Sequence, residues 1–239
     1  MDRIRDIAKM IDHSILHPTF TDEDLRIQCE IAKKYRVATV CVKPYHARLA
    51  DDFLDGSEVV VCSVIGFPHG NSTVDVKAAE IHQVIRDGAA EIDMVINIGK
   101  VVQGDWAYVE RELHLLHYIC HDRDTIVKVI FETDFLTRDD DKIRLCELCS
   151  AEEVEFVKTS TGYGFTKGTD GKYSTAGATE HDINLMRKHC SPGVQIKAAG
   201  GIRTLDQLLR FSDLGVTRIG ATATESIMEE AKRRFSISL

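Results

Sequence analysis

The run Glu91-Ile92-Asp93-Met94-Val95-Ile96 sets acidic side chains at alternate positions among apolar ones. Side chains alternate across a strand, so the run reads as a strand. Ile92, Met94 and Ile96 share one face; Glu91 and Asp93, with Asn97 beyond, share the other. The same parity returns downstream. Val127, Val129 and Phe131 stand against Lys128 and Glu132, and Val194, Ile196 and Ala198 stand against Gln195 and Lys197. Lys158 and Ser160 fall in the polar set. Burying charges against helices is expensive, so the apolar faces should meet a helical layer and the polar faces a shared interior.

Outward from these strands, short β-branched runs alternate with helical patterns along the whole chain. Strands are predicted over 11–15, 37–42, 59–65, 91–96, 125–131, 154–159, 194–199 and 216–220. Helices are predicted near 44–54, 105–121, 138–150, 179–189, 204–214 and 224–234. Two more carry explicit punctuation: Thr21-Asp22-Glu23-Asp24 opens one as a capping box, and Gly88 closes one that begins near Val74. Eight strand–helix units in 239 residues predict an α/β chain folded as a single-domain (β/α)8 TIM barrel over residues 1–239. An open doubly wound sheet is the alternative. It calls for a G-x-G-x-x-G turn after the first strand, and none stands there.

Composition narrows the function. A formal net charge of −8 argues against a nucleic-acid surface but leaves room for a small phosphate ester held by backbone N–H groups and a few cations. The longest apolar-looking run, 59–67, is far too short to span a bilayer. An odd cysteine count, seven, forbids a complete disulfide framework, and the charged start Met1-Asp2-Arg3-Ile4-Arg5-Asp6 lacks a signal peptide's apolar stretch. A reduced, cytoplasmic protein that contacts neither nucleic acid nor membrane is expected.

Barrel enzymes place their chemistry where the strand C-termini open into the following loops. Asp12, Ser14, Cys41 and Lys43 share the inward parity of Asp93, Lys128, Lys158 and Lys197. One interior lysine or aspartate is readily a structural ion pair; three lysines and carboxylates converging on one mouth suit catalysis better. A free lysine has a pKa of ~10.4, and a nucleophilic amine must first lose its proton. Burial and a neighbouring cation both favour that loss. Lys158 and Lys197 lie on adjacent predicted strands, and Asp93 can reach across the interior as acid/base partner through a water.

Other motifs read as structural. Cys146-x-x-Cys149 lies inside an amphipathic helix without a second pair, and His114, His117 and His121 share a solvated helical face. Gly162-x-Gly164 is too short for a dinucleotide fingerprint. Cys41 reads first as a small buried hydrophobe, with a Lys43-activated thiol as the second reading. No metal site is expected.

The sequence resembles the deoxyribose-phosphate aldolases. The resemblance is carried by Ile11-Asp12-His13-Ser14-Ile15-Leu16, Val40-Cys41-Val42, Val64-Ile65-Gly66-Phe67-Pro68 and Glu91-Ile92-Asp93-Met94-Val95-Ile96-Asn97-Ile98-Gly99. Lys128-Val129-Ile130-Phe131-Glu132-Thr133 and Val157-Lys158-Thr159-Ser160-Thr161-Gly162 follow. Lys197-Ala198-Ala199-Gly200-Gly201-Ile202-Arg203-Thr204 and Arg218-Ile219-Gly220-Ala221 complete the set, in family order across almost the whole chain. It implies cofactor-free cleavage of 2-deoxy-D-ribose 5-phosphate to acetaldehyde and D-glyceraldehyde 3-phosphate. By position, Lys158 would form the Schiff base, with Asp93 and Lys197 as proton relay and Lys197 lowering the pKa of Lys158. Gly162, Gly200, Gly201, Gly220, Ala221 and Thr222 would hold the phosphate, and Asp12, Cys41, Lys128 and Thr161 would support the site. A homodimer is implied on the same ground.

Some positions depart from the family pattern. Tyr163 stands where some members carry Lys, which makes Lys167 or Lys172 of the loop 164–176 the candidate phosphate cation. Ala223 replaces a second Ser, Lys43 is unusual beside Cys41, and the tail Phe235-Ser236-Ile237-Ser238-Leu239 lacks a terminal Tyr. Two other functions fit parts of the pattern: a Schiff-base aldolase of different donor specificity, and a phosphate-binding barrel without lysine chemistry, either an isomerase or a binding protein.

Overall fold

A computed structural model describes residues 3–236; the expectations for Met1-Asp2 and for the last three residues of the tail lie outside them. In chain order the strands are β1 (Ile11–Ile15), β2 (Thr39–Val42), β3 (Val60–Ile65), β4 (Ala89–Val95), β5 (Ile126–Ile130) and β6 (Phe156–Lys158). A small antiparallel hairpin, β7 (Thr166–Lys167) with β8 (Tyr173–Ser174), precedes β9 (Gln195–Ala199) and β10 (Arg218–Ala221). β1–β6, β9 and β10 form a closed parallel barrel in sequence order, β10 pairing back onto β1. The predicted barrel is therefore present, and the open-sheet alternative is not.

Helices α2 (Asp22–Tyr35), α3 (Ala47–Leu54), α4 (Val74–Arg86), α6 (Trp106–His121), α7 (Asp139–Ala151), α8 (Glu180–His189), α9 (Leu205–Asp213) and α10 (Thr224–Phe235) follow the staves. Thr21 and Asp24 form the expected capping box at α2. Two further helices escaped the sequence reading, α1 (Arg3–Lys9) and α5 (Ile98–Gln103), each under two turns and too short for apolar periodicity to register. α5 corrects one expectation. Asn97 does not point inward from a strand; its side chain accepts from Lys100 N and caps α5. No helix among the described residues is long and apolar enough to cross a membrane.

The apolar parity set, including Ile92, Met94, Val127, Val129, Ile196 and Ala198, is buried between barrel and helices. One polar residue joins that outer layer. His13 on β1 is buried, with Nδ1 2.7 Å from Thr224 Oγ1 and Nε2 2.8 Å from Gln28 Oε1. The amide oxygen can only accept, so Nε2 carries the proton of a neutral imidazole and Nδ1 accepts from the Thr224 hydroxyl.

Burial lowers the His13 pKa to about 4, against ~6.5 in an unfolded chain. Between those values the unfolded chain binds a proton that the folded chain does not. His13 therefore contributes full stability above pH ~6.5 and loses it as the pH falls towards ~4, by roughly 3 kcal/mol. In urea melts across that window, His13→Asn should show a shallower fall of stability with pH than the parent; parallel curves would refute this account.

Candidate active site

The inward parity set meets in the barrel as a buried charge network. Asp93 on β4 is its centre: Oδ2 lies 2.6 Å from Lys158 Nζ and 2.7 Å from Lys197 Nζ, and Oδ1 lies 3.0 Å from Lys128 Nζ. Lys158 and Lys197 are register partners on β6 and β9, as adjacent staves require. The contact of Asp93 with Lys158 is direct, which corrects the expected intervening water: the carboxylate spans the barrel without one.

Beneath them Lys128 Nζ is 2.6 Å from Glu91 and 3.7 Å from Asp12, and Lys197 Nζ is 2.5 Å from Asp12. The guanidinium of Arg218 closes this layer, 2.6 Å from Asp12 and 3.0 Å from Glu91. Arg218 was missed in its role because it opens β10, although its inward parity with Gly220 was the available signal. Gln195, also read as inward, is exposed where β9 begins and accepts from Thr217 Oγ1.

Four cations (Lys128, Lys158, Lys197, Arg218) thus face three carboxylates (Asp12, Glu91, Asp93). Burial alone would raise the Asp93 carboxyl, but Lys128, Lys158 and Lys197 outweigh it and hold it well below the usual range. Asp12 is lowered for the same reason, its burial outweighed by Lys197, Lys128 and Arg218. Burial would lower Lys128 and Lys197; their carboxylates outweigh it and raise both. Among the described residues Lys128 pairs with three carboxylates, Lys197 and Arg218 with two each, and Lys158 with Asp93 alone. Removing one proton from Lys158 leaves three cations against three carboxylates. Of the three lysines, Lys158 meets the fewest carboxylates.

A second ion pair holds the central stave from outside. Lys77 on α4 and Glu112 on α6, both fully buried, meet at 2.8 Å. Lys77 Nζ donates to Val95 O and Glu112 Oε2 accepts from Asn97 N, so the pair grips the C-terminal end of the strand that carries Asp93.

Above the network a cavity of about 160 Å³ is lined by Lys158, Lys197, Cys41, Thr161, Gly162, Tyr163, the segment Gly200-Gly201-Ile202-Arg203 and Gly220-Ala221-Thr222. The sequence-predicted phosphate residues thus share one cavity with the two lysines. Gly201 (φ 79°) leaves open space where a Cβ would stand, whereas a Cβ on Gly200 would strike Gly177 at 2.8 Å. α10 begins beside this cavity with no side-chain cap, leaving backbone N–H groups free for an anion.

The expected phosphate cation is corrected. Lys167 and Lys172 are exposed on the hairpin loop and do not line the cavity; Arg203 does. Lys43 does not turn inward either, because its ammonium donates to His17 O and Phe20 O. The lowered Cys41 thiol therefore owes nothing to Lys43; the neighbouring Cys62 thiol is the main cause.

Glu132 supports the mouth. It sits at φ 58°, accepts from Thr161 N at 3.2 Å and from the Thr161 hydroxyl, and burial pushes its carboxyl up. Asp134 straps the loop 164–176 through Thr175 Oγ1, Ala176 N and Gly177 N. Neither role was legible in sequence, since each needs a partner tens of residues away.

Among the described residues two groups have the donors and spacing for a metal ion: Cys41, Cys62 and Asp93 inside the barrel, and His117, His121 and Glu155 at the end where the strands begin. His114 is drawn off to Glu152 instead.

Comparison with known proteins gives a consistent picture. A profile of the DeoC/LacD family aldolases matches residues 7–223. A deoxyribose-phosphate aldolase of Rhodopirellula baltica is 44% identical over 232 residues, 97% of this chain and 92% of the relative. Another, from Thermococcus gammatolerans, is 44% identical over 229 residues, 95% of this chain and 97% of the relative. Among solved structures, a tetrameric deoxyribose phosphate aldolase from Aeropyrum pernix superposes with a TM-score of 0.84 at 27% identity, covering 96% of this chain and 92% of its own.

Proposed function

The chain belongs to the DeoC/LacD aldolase family, and from that premise we propose that it cleaves 2-deoxy-D-ribose 5-phosphate to acetaldehyde and D-glyceraldehyde 3-phosphate, with Lys158 as the Schiff-base amine. The observation that carries the assignment is the charge count: Lys158 faces the cavity, pairs with one carboxylate, and balances the network when it loses a proton. A barrel isomerase or binding protein would have no use for such an amine.

Asp93 Oδ2, 2.6 Å away, is placed to take the Lys158 proton and pass it on to solvent, so that all three carboxylates stay charged. The free amine attacks C1 of the open-chain sugar, and loss of water gives an iminium. Removal of the C3 hydroxyl proton then lets the C2–C3 bond break, its electrons passing to the iminium nitrogen as an enamine. D-Glyceraldehyde 3-phosphate leaves, C2 takes up a proton, and water releases acetaldehyde. Asp93 and Lys197, 2.7 Å apart, are the groups in reach to accept and return that proton. Lys128, held charged by three carboxylates, supports Asp93 and does not react.

The phosphate is assigned to Arg203, the Gly201 turn, the Gly220-Ala221-Thr222 backbone and the N-terminus of α10. Arg203→Met should raise KM for deoxyribose 5-phosphate about 10- to 100-fold, the worth of a charge-assisted hydrogen bond, and barely change that for free deoxyribose. Equal losses on both sugars would remove Arg203 from the phosphate site.

The decisive experiment is acetaldehyde with borohydride followed by peptide mapping. One ethyl group on Lys158 is expected; a label on Lys128 or Lys197, with Lys158 untouched, would overturn the assignment. A donor-aldehyde panel separates this substrate from that of a related aldolase. Free thiols at all seven cysteines support a cytoplasmic setting, and a homodimer is proposed on the resemblance, one structural relative being tetrameric.

A further inference from the structure

We propose that Cys41 and Cys62 form an oxidisable dithiol inside the barrel: a peroxide entering the cavity converts Cys41 to a sulfenic acid, Cys62 closes it to a disulfide, and Asp93 is disabled. The two cysteines are register partners on the adjacent strands β2 and β3. Neighbouring strands lie ~4.8 Å apart, within the Cα separation that a disulfide bridges. Both side chains point inward, in a small cluster with Leu16 and Val64. Their sulfurs and an Asp93 oxygen all lie within 4.8 Å of one another.

The two thiols are unequal. Cys41 lines the cavity beside Lys158; Cys62 lies behind it, fully buried. The Cys41 thiol is held below its ordinary value chiefly by the neighbouring Cys62 thiol, with Lys197 and Lys158 adding to it against burial and Asp93. Burial pushes the Cys62 thiol well up. Cys41 is therefore the thiol that attacks and Cys62 the one that resolves.

The chemistry balances with hydrogen peroxide as oxidant. Cys41 sulfur attacks one peroxide oxygen, the O–O bond breaks, and the products are Cys41–SOH and water. The Cys62 sulfur then displaces hydroxide from that sulfur, and the thiol proton leaves with it as a second water. A dithiol reductant reverses the bond by exchange, becoming a cyclic disulfide.

The consequence follows from the contacts Cys62 makes. Its thiol donates to Asp93 Oδ1 at 3.1 Å and accepts from Lys128 Nζ at 3.3 Å. A disulfide has no S–H, so Asp93 loses that donor, and the sulfur is drawn towards β2 and away from Lys128. The carboxylate that takes the Lys158 proton is then misplaced. The cross-link is independent of the aldolase reading; only its effect on turnover rests on it.

The test is titration of the full chain with hydrogen peroxide, read by intact mass, non-reducing peptide maps and turnover. The expected result is loss of two hydrogens, a Cys41–Cys62 linked peptide, and a fall of about 100-fold in turnover that dithiothreitol restores. Cys41→Ala should form no link and show no dithiothreitol-reversible loss. Cys62→Ala should gain oxygen on Cys41 instead, and further peroxide should carry it to a sulfinic acid that dithiothreitol leaves unchanged. A link confined to Cys146 and Cys190, a second pair of neighbouring buried thiols, would overturn the proposal, as would no link at all. A Cys41–Cys62 disulfide with full turnover would overturn its coupling to Asp93.

Discussion

Lys158→Ala should lose at least ~10⁴-fold in turnover at every pH, while the protein still folds and still binds the sugar phosphate. Alanine removes the amine proposed to carry the substrate covalently, and no change of proton activity restores it. It also leaves Lys128, Lys197 and Arg218 against Asp12, Glu91 and Asp93, a balanced set. The fold should therefore tolerate it, with an unchanged urea midpoint to within ~1 kcal/mol. Steady-state turnover on deoxyribose 5-phosphate from neutral to alkaline pH is the measurement. Residual turnover above a hundredth of the parent's would place the covalent step on another lysine.

The second large effect is at Lys197, and its signature is pH dependence. Lys197→Leu removes a cation that Asp12 and Asp93 keep charged. Three cations then face three carboxylates with Lys158 still protonated, so releasing its proton now unbalances the network. Proton release by Lys158 is then opposed, and turnover at neutral pH should fall by about 100- to 1000-fold. The loss should shrink as the pH rises. If the loss stays constant across the alkaline range, Lys197 acts as a direct proton donor and not as a tuner of Lys158.

Much of this architecture was legible along the chain because it depends on local rules. The period-two runs located all eight staves to within two residues at both ends, and β1 to the residue. Parity on a strand divides two environments, so placing Ile92 and Met94 outside forces Glu91 and Asp93 inside; the same rule carried Lys128, Lys158 and Lys197 to one interior. The Gly200-Gly201 turn after β9 and Gly220 near the end of β10 marked the candidate phosphate end, because loops at strand C-termini are where a barrel is open.

What the chain alone determined was therefore a barrel with three lysines and a carboxylate facing inward, and a family resemblance that assigned their roles. Only the tertiary structure decided how the three ammonium groups differ. That depends on how many carboxylates each ammonium meets, a count involving Glu91, Asp12 and Arg218 from strands as far apart as β1, β4 and β10. It also decided that Arg203, and neither Lys167 nor Lys172, reaches the cavity, and that Cys41 answers to Cys62 and not to Lys43. Parity tells which way a side chain leaves its strand; what it meets there depends on barrel closure, because electrostatic interaction is set by distance through space.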